Sequence, residues 1–583
     1  MRSAPRSSCV VMLSQLFSGA ATAWALLLGT RVLDSLLHGG LNPEQIRAKL
    51  PSLLLLSCAY LLRIVMDASS SFAKAIMVPK VHRTAEEDLL KVSLKAELTS
   101  FDDSTFYDRL HRARDRGVMH IEGATICLVD FLRATFSLCG AAFALIWLQP
   151  VLFPILLLAL LPEGWAALYA AKLQYAGMSL AVSLFRQTHM MAEIATQREA
   201  APEIRANQAE DYVLAEYHRS ATELQNHLVT LGTAEARANT IGRVVSGFGV
   251  VGTFVALGLM VNAHWLPLAV AGIAVIAIRS AADALTQLIQ VVHELFEKGL
   301  YISDYREFIE QSTQPSGPAE RVKAPGNPGR IELKEVEFHY PSAGGRVALK
   351  GITLTIEPRQ TIALVGENGS GKTTLAKLIA GLYHPTSGKI TWDGVDLKDI
   401  DPDSLADRVA VVLQDPIRWP RSAEDNIRLG RHTRADPDLV ATLRAAEQSC
   451  AIEVVAGLPE GWKTLLSREF RGGQDLSSGQ WQRLAVARGL YRDGPLVIWD
   501  EPTAPLDAKA EHAVYESLRQ VARERTVVLI THRLVTVRNA DRIFFLENGT
   551  VVEQGRHDDL MRDNGRYAQL YRLQTNLHGL VGC

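Results

Sequence analysis

The sequence predicts two structural classes in one chain. The first is an all-α six-helix transmembrane domain with long helical extensions; the second is an α/β domain. Three observations carry this. Six apolar segments fall within the first three hundred residues, each near the ~20 residues that a membrane crossing needs. Residues 311–329 then hold four prolines and three glycines, the composition of a linker. Beyond them, Gly366-Glu367-Asn368-Gly369-Ser370-Gly371-Lys372-Thr373 reads G-x-x-x-x-G-K-[ST], the pattern of a phosphate-cradling loop. The expected boundaries are 1–310 for the membrane domain, 311–329 for the linker and 330–583 for the α/β domain.

Composition excludes some classes. The 583 residues carry a net charge of -2, so no basic footprint for nucleic acid is present. Of the six cysteines, no two form a C-x-x-C pair. Cys9, Cys58, Cys127 and Cys139 sit in or beside apolar runs, and are expected to be small buried hydrophobes.

In chain order, Arg2 and Arg6 precede an apolar run from Cys9 to Thr30. It has the form of a secretory signal, but its length and the later apolar runs predict a retained first span. The spans are expected at about 10–33, 51–73, 121–148, 150–172, 243–262 and 265–287. Three loops between them are short. Two, roughly 74–120 and 173–242, are long and charged, with Arg109, Arg112, Arg114 and Arg116 in the first. Positive charge stays cytoplasmic, so the long loops and both termini are expected inside. Arg47 and Lys49 in the first short loop run against that assignment.

The long loops have helical periodicity at 84–98 and 203–230, and are expected to continue the membrane helices into the cytoplasm. Asp102 to Ser104 would end one helix and cap the next. Charges recur inside the spans: Arg63 and Asp67, Asp130 and Arg133, Glu163, Arg279 and Asp283. Three of these sets are expected to pair within one helix. Glu163, between Pro162 and Gly164, has no opposite charge nearby in its own span and is expected to face a central pathway.

In the α/β part, Thr361-Ile362-Ala363-Leu364-Val365 reads as a buried strand before the loop, and Thr374 to Ala380 as a helix after it. The glycines turn backbone N–H groups inward, and the helix start adds partial positive charge. Lys372 can reach the outer phosphates and the Thr373 hydroxyl can hold Mg²⁺. Pro495-Leu496-Val497-Ile498-Trp499-Asp500-Glu501 reads as a parallel strand ending in two acids, where ligands of such sheets bind. Asp500 would serve the Mg²⁺ shell and Glu501 would activate water. Leu476-Ser477-Ser478-Gly479-Gln480 opens a helix from Trp481 to Tyr491, capped by Ser477 or Ser478. This is a second anion-seeking helix start, and its phosphate must come from elsewhere.

The order of these motifs — phosphate loop, Gln414, LSSGQ, Asp500-Glu501, Ala504-Pro505-Leu506-Asp507, His532 — resembles the nucleotide-binding domain of ABC transporters. With six preceding spans and two long loops, the whole chain resembles an ABC exporter half-transporter, a transmembrane domain fused to an α/β P-loop ABC ATPase domain. The resemblance implies ATP and Mg²⁺ as cofactors, with Gly366 through Thr374 on the nucleotide and Tyr340 stacked on adenine. It gives Gln414 to the Mg²⁺ shell, makes Glu501 the general base, and puts His532 on the γ-phosphate. Ser477, Ser478, Gly479 and Gln480 would meet ATP held by a partner subunit, and Asp507 would signal between the two sites. Glu469 resembles part of an exporter-specific loop, and the stretches near 101–110 and 203–212 resemble coupling helices. Ser478 stands where the family usually has glycine, and Pro505 where it often has alanine. Intact Glu501 and His532 favour a homodimer. The implied activity is ATP-driven export through the cytoplasmic membrane, with a lipid flippase as the alternative and a non-transport ABC ATPase further off. An importer is disfavoured because the membrane and nucleotide domains share one chain.

Overall fold

A computed structural model describes residues 4–38, 43–312, 321–326, 329–341, 347–501 and 508–579. They form two compact units, one of residues 1–95 and 108–313, the other of residues 96–107 and 314–583.

The first unit is helical. Its long helices are α1 (Pro5–His38), α2 (Pro43–Lys95), α4 (Val118–Leu148), α5 (Leu152–Thr196), α7 (Glu210–Asn262) and α8 (Leu268–Ser312), with α3 (Ser104–His111) and α6 (Ala201–Ala206) between them. Among the described residues, six helices are long and apolar enough to cross a membrane. Each expected span overlaps one of them, with 150–172 and 265–287 beginning two and three residues before α5 and α8. As expected, α2 continues past its apolar part to Lys95, and α7 starts well before its own, at Glu210. The cap expected near residue 103 is present: the Asp103 carboxylate accepts from the Thr105 backbone N–H at 2.9 Å and opens α3. Residues 96–107 belong to the second unit rather than the first.

Lipid-type surface explains why large apolar side chains stay uncovered: Leu54, Phe72, Trp147 and Phe248 are all well exposed. It also corrects the cysteine expectation. Cys127 is buried, but Cys9, Cys58 and Cys139 are exposed, because an apolar side chain on a membrane helix has no need of a protein interior. Close helix contact is made by small residues. A Cβ on Gly140 would stand 2.2 Å from the Gly19 carbonyl oxygen, so α1 and α4 cross with their backbones touching.

The intramembrane charges pair differently from the sequence expectation. Asp67 of α2 meets Arg133 of α4 at 3.3 Å, and Lys74 of α2 meets Asp130 of α4 at 3.2 Å. Ser18 of α1 donates to Asp67 at 2.9 Å. The pairs therefore bridge helices instead of lying along one. Glu163 finds its partners on other helices as well. Its side chain is 12% exposed, with Arg243 of α7 at 3.7 Å and the Thr286 hydroxyl of α8 donating at 3.3 Å. Its backbone N–H donates to the Ser246 hydroxyl at 3.1 Å. The opposite charge absent from its own span comes from another helix, and Glu163 ties three helices together.

The second unit carries β1 (Ile331–His339), β2 (Val347–Ile356), β3 (Thr361–Gly366), α9 (Lys372–Ile379), β4 (Ser387–Trp392), β5 (Val395–Asp396), α10 (Pro402–Ala406), β6 (Val409–Val412), α11 (Ala423–Arg428), α12 (Val440–Gln448), α13 (Ala451–Ala456), α14 (Ser478–Arg492), β7 (Leu496–Asp500), α15 (Ala508–Ala522), β8 (Thr526–Ile530), β9 (Arg542–Glu547), β10 (Thr550–Gly555), α16 (His557–Asp563) and α17 (Arg566–Gly579). An antiparallel sheet runs β2-β1-β4-β5, and a second sheet runs β10-β9-β3-β8-β7-β6. In the second sheet, β9, β3, β8, β7 and β6 are mutually parallel. Its central strands β7 and β8 are buried on both faces, which is why they read as unbroken apolar runs. Leu375, Leu378 and Ile379 of α9 share one core with Ile352 and Leu354 of β2 and with Ile362 and Leu364 of β3. Part of the stretch 311–329 is described. Gln311 and Ser312 finish α8, Val322 bridges to Ile400, and Ala324 enters the core of the second unit.

Candidate nucleotide site

The sheet lines up the chemistry. Parallel strands share a direction, so their carboxyl ends fall along one edge. Leu364 of β3 pairs with Ile530 of β8, Ile530 with Asp500 of β7, and Trp499 of β7 with Val412 of β6. The phosphate loop, His532, Asp500-Glu501 and Gln414 each follow one of these strands. Four motifs up to 166 residues apart in sequence thus meet at one edge.

The loop is shaped by its glycines. Gly366, Gly369 and Gly371 take φ of +146°, +79° and +103°. At Gly371 a Cβ would be 2.6 Å from the Leu349 side chain and 3.0 Å from the Ala348 oxygen, so only glycine fits. Lys372 Nζ donates to the carbonyls of Gly366 at 2.9 Å and Glu367 at 2.8 Å, folded back over its own loop. Burial lowers its pKa, and the charges of Glu501 and Asp500 partly restore it.

Asp500 is 4% exposed. Burial pushes its carboxyl above the usual carboxylate range, the Thr373 hydroxyl bond pulls it back, and the charge of Glu501 raises it again. Among the described residues its Oδ1 is buried without a hydrogen-bond partner, as is the Ser370 hydroxyl of the loop. An orphaned carboxylate oxygen beside a threonine hydroxyl is a donor set that fits a hard divalent cation.

Glu501 is held in a left-handed backbone conformation, φ +48°, which costs a non-glycine residue on the order of 1–3 kcal/mol. Its N–H donates to the Ile530 carbonyl at 3.0 Å. One carboxylate oxygen lies 2.9 Å from His532 Nδ1, and the other accepts from the Gln414 amide at 3.2 Å. The side chain is 11% exposed. Glu501 is therefore aimed by both neighbouring strands.

Tyr340 sits edge-on to Phe338 and Tyr383, and its hydroxyl lies 2.9 Å from that of Thr374. Tyr383 donates to Asp102 at 2.7 Å. Burial, then that bond, raises its pKa. Nothing in the sequence marked Tyr383, which joins residue 102 of the inserted segment 96–107 to the aromatic cluster beside the loop.

The LSSGQ residues stand apart. Ser477 accepts from the Gln480 N–H at 3.3 Å and donates its own N–H to the Gln480 side chain at 2.9 Å, a full capping box that opens α14. Ser478 and Gly479 form the first turn. Among the described residues, no hydrogen bond or ion pair links these four to the phosphate loop. Farther along α14, Arg488 donates to the carbonyls of Asn426 at 2.9 Å and Ile417 at 3.4 Å, three residues beyond Gln414. Burial lowers its pKa to about 10. Ala504, Pro505, Leu506 and Asp507 lie outside the described residues.

A glycine loop with a buried lysine, a strand-end acid pair and a second capped helix start are the parts of a P-loop nucleotide site. Residues 349–504 match the ABC transporter family. The ATP-dependent lipid A-core flippase of Chromobacterium violaceum is 39% identical over 287 residues, 49% of this chain and 48% of that protein. A mycobactin import ATP-binding/permease protein of Mycolicibacterium thermoresistibile is 39% identical over 267 residues, 46% of this chain and 44% of that protein. The chain thus spans about half the length of the curated relatives it matches. A solved bacterial Atm1-family ABC exporter with ATP bound superposes with a TM-score of 0.83 at 21% identity, covering 98% of both chains. The chain carries an ABC transporter domain at residues 349–504, and over nearly its whole length it has the fold of that solved exporter.

Proposed function

We propose that this protein couples ATP hydrolysis to movement of a cargo across the cytoplasmic membrane by alternating access. The observation that carries the reading is Glu501, strained and gripped by His532 and Gln414 at the sheet edge that bears the phosphate loop. Lys372 swings from its loop carbonyls onto the outer phosphates, and the loop N–H groups hold the rest. Tyr340 stacks on adenine. Glu501 takes the proton from the attacking water, and His532 positions both Glu501 and the γ-phosphate. Thr373, Asp500 and Gln414 would hold Mg²⁺, which neutralises phosphate charge when bound. The orphaned Asp500 oxygen supports the first two.

Two chains work together, each offering Ser477, Ser478, Gly479 and Gln480 to the ATP on the other, and Asp507 signals between the sites. The capping box takes up the N–H groups of Ser477 and Gln480, and the first-turn N–H groups of Ser478 and Gly479 would meet an anion from outside their own chain. A second identical copy is the expected partner, because Glu501 and His532 are both intact. Membrane lipids surround the six helices, and the arginine-rich long loop puts the ATPase domain on the cytoplasmic side. Export is the direction we assign. The fusion of both domains in one chain, taken from sequence as evidence against import, does not exclude it, since one relative with a joint ATP-binding/permease name is named for import. A lipid-like cargo is the second reading, favoured by the name of the flippase relative.

The test is ATPase of protein reconstituted into vesicles against a panel of lipids, peptides and amphipathic compounds. Stimulation by one class, together with its ATP-dependent movement into inside-out vesicles, supports the reading. ATP hydrolysis with no movement of any class would reduce the protein to a non-transport ATPase.

A further inference from the structure

His532 presents a positioning problem. Its side chain is 49% exposed, so packing does not fix where the ring points. Yet its Nδ1 meets Glu501 at 2.9 Å. The aim must come from the backbone of the loop that follows β8.

That backbone is gripped from the far end of the chain. Gln574, in the third turn of α17, donates its amide to the His532 carbonyl at 2.5 Å. Its side-chain oxygen accepts from the Leu534 N–H at 2.9 Å. One planar amide thus closes on both peptide groups that flank Arg533. Two further ties hold the loop. The Thr531 hydroxyl accepts from the Arg533 N–H at 3.0 Å, and the Arg533 guanidinium meets Glu511 of α15 at 2.5 Å. Leu534 itself is fully buried.

The helix that presents Gln574 is itself anchored. At its start, the Glu553 carboxylate of β10 accepts the N–H groups of Arg566 at 2.5 Å and Tyr567 at 3.0 Å, a favourable charge for a helix N-terminus. Tyr567 itself is fully buried, with its hydroxyl 2.8 Å from His557 Nδ1. Seven residues separate Tyr567 from Gln574, so both lie on nearly the same helix face, about 10 Å apart. A rigid strut therefore runs from β10 to the His532 loop.

We propose that Gln574 is a positioning residue for ATP hydrolysis: it sets the backbone of residues 532–534 so that His532 meets Glu501. The inference rests on the ATPase reading of the site. It assigns no contact between Gln574 and nucleotide.

The experiment uses the full-length protein in lipid nanodiscs. Gln574→Met keeps the side-chain length and removes both hydrogen bonds. Gln574→Glu keeps the acceptor for Leu534 and removes the donor to His532. Turnover is expected to fall in the order wild type, Gln574→Glu, Gln574→Met, with roughly a tenfold loss in the last, while KM for ATP stays within about twofold. Affinity for a fluorescent ATP analogue and the thermal midpoint are expected to stay unchanged. In a His532→Ala background, Gln574→Met is expected to cause no further loss, because the residue acts through His532. An unchanged kcat in both variants, or an equal fractional loss with and without His532, overturns the proposal. Should Gln574→Met fail to fold, Gln574→Glu in the two backgrounds decides alone. A wild type that hydrolyses no ATP overturns the ATPase reading and this inference together; a hydrolysing wild type with insensitive variants overturns only the inference.

Discussion

At the sheet edge, two adjacent carboxylates share the neighbourhood of one lysine, and a buried oxygen of Asp500 is left without a partner. Among the membrane helices, Asp67, Asp130 and Glu163 are each matched by a cation from another helix. Both regions gather charge, but they satisfy it differently. Unpaired buried polar atoms are costly, so a fold keeps them only where something else completes them. Cross-helix pairs are complete already, and their role is to hold helices together. The comparison separates a binding site from a set of structural ties without reference to sequence motifs.

The largest test of that division is Glu501→Gln. It should keep ATP binding and lose hydrolysis by roughly 10²–10⁴-fold, with nucleotide trapped in a closed dimer. Near-normal phosphate release would move the base elsewhere and leave the strain at Glu501 without a function.

Next comes the completeness of the site within one chain. Mixing Lys372→Ala subunits with Ser477→Ala subunits gives hetero-dimers with one doubly altered site and one intact site if Ser477 acts on the partner's ATP. Nucleotide occupancy should then be about one per mixed dimer, an order-of-magnitude distinction from none. Cross-linking that puts both lesions in one chain's own site would contradict the head-to-tail arrangement.

A smaller effect is expected among the helices. Asp67→Ala should lower stability in detergent by ~1 kcal/mol, and a charge-reversed pair at 67 and 133 should restore most of it. Glu163→Ala and Arg243→Ala should be non-additive for the same reason. If Glu163→Ala instead abolishes cargo-stimulated ATPase with stability unchanged, Glu163 belongs with the binding groups and the division fails there.

The smallest effect is a pH dependence in the α/β unit. Burial lowers the pKa of His384 and of His557. The unfolded chain then binds more protons than the folded one as pH falls below the ordinary histidine value, so stability declines through that range. Thermal midpoints should drop between about pH 7 and pH 5.5, and His557→Gln should shallow the slope. A steeper slope in that variant would assign the acid sensitivity to other groups.

Several features were legible in the sequence because they are local. A glycine pattern needs only its own dihedral angles, so residues 366–373 announced the loop. A helix cap is local too, so Ser477 or Ser478 announced a helix start; the structure selects Ser477, closes a capping box with Gln480 and begins α14 three residues before the expected Trp481. Apolar runs of about twenty residues announced six spans, since lipid selects on length and hydropathy. Tertiary structure decided what depends on pairing between distant elements. Hydropathy records that a charge lies in a span, not which helix lies beside it, so Asp67 and Arg133 were each given to the wrong neighbour. Apolarity means interior only when water is the solvent, so the apolar surroundings of Cys9, Cys58 and Cys139 do not bury them. The same limit hid the grip of Gln574 on the His532 loop, since two hydrogen bonds across 42 and 40 residues leave no periodicity and no motif to read.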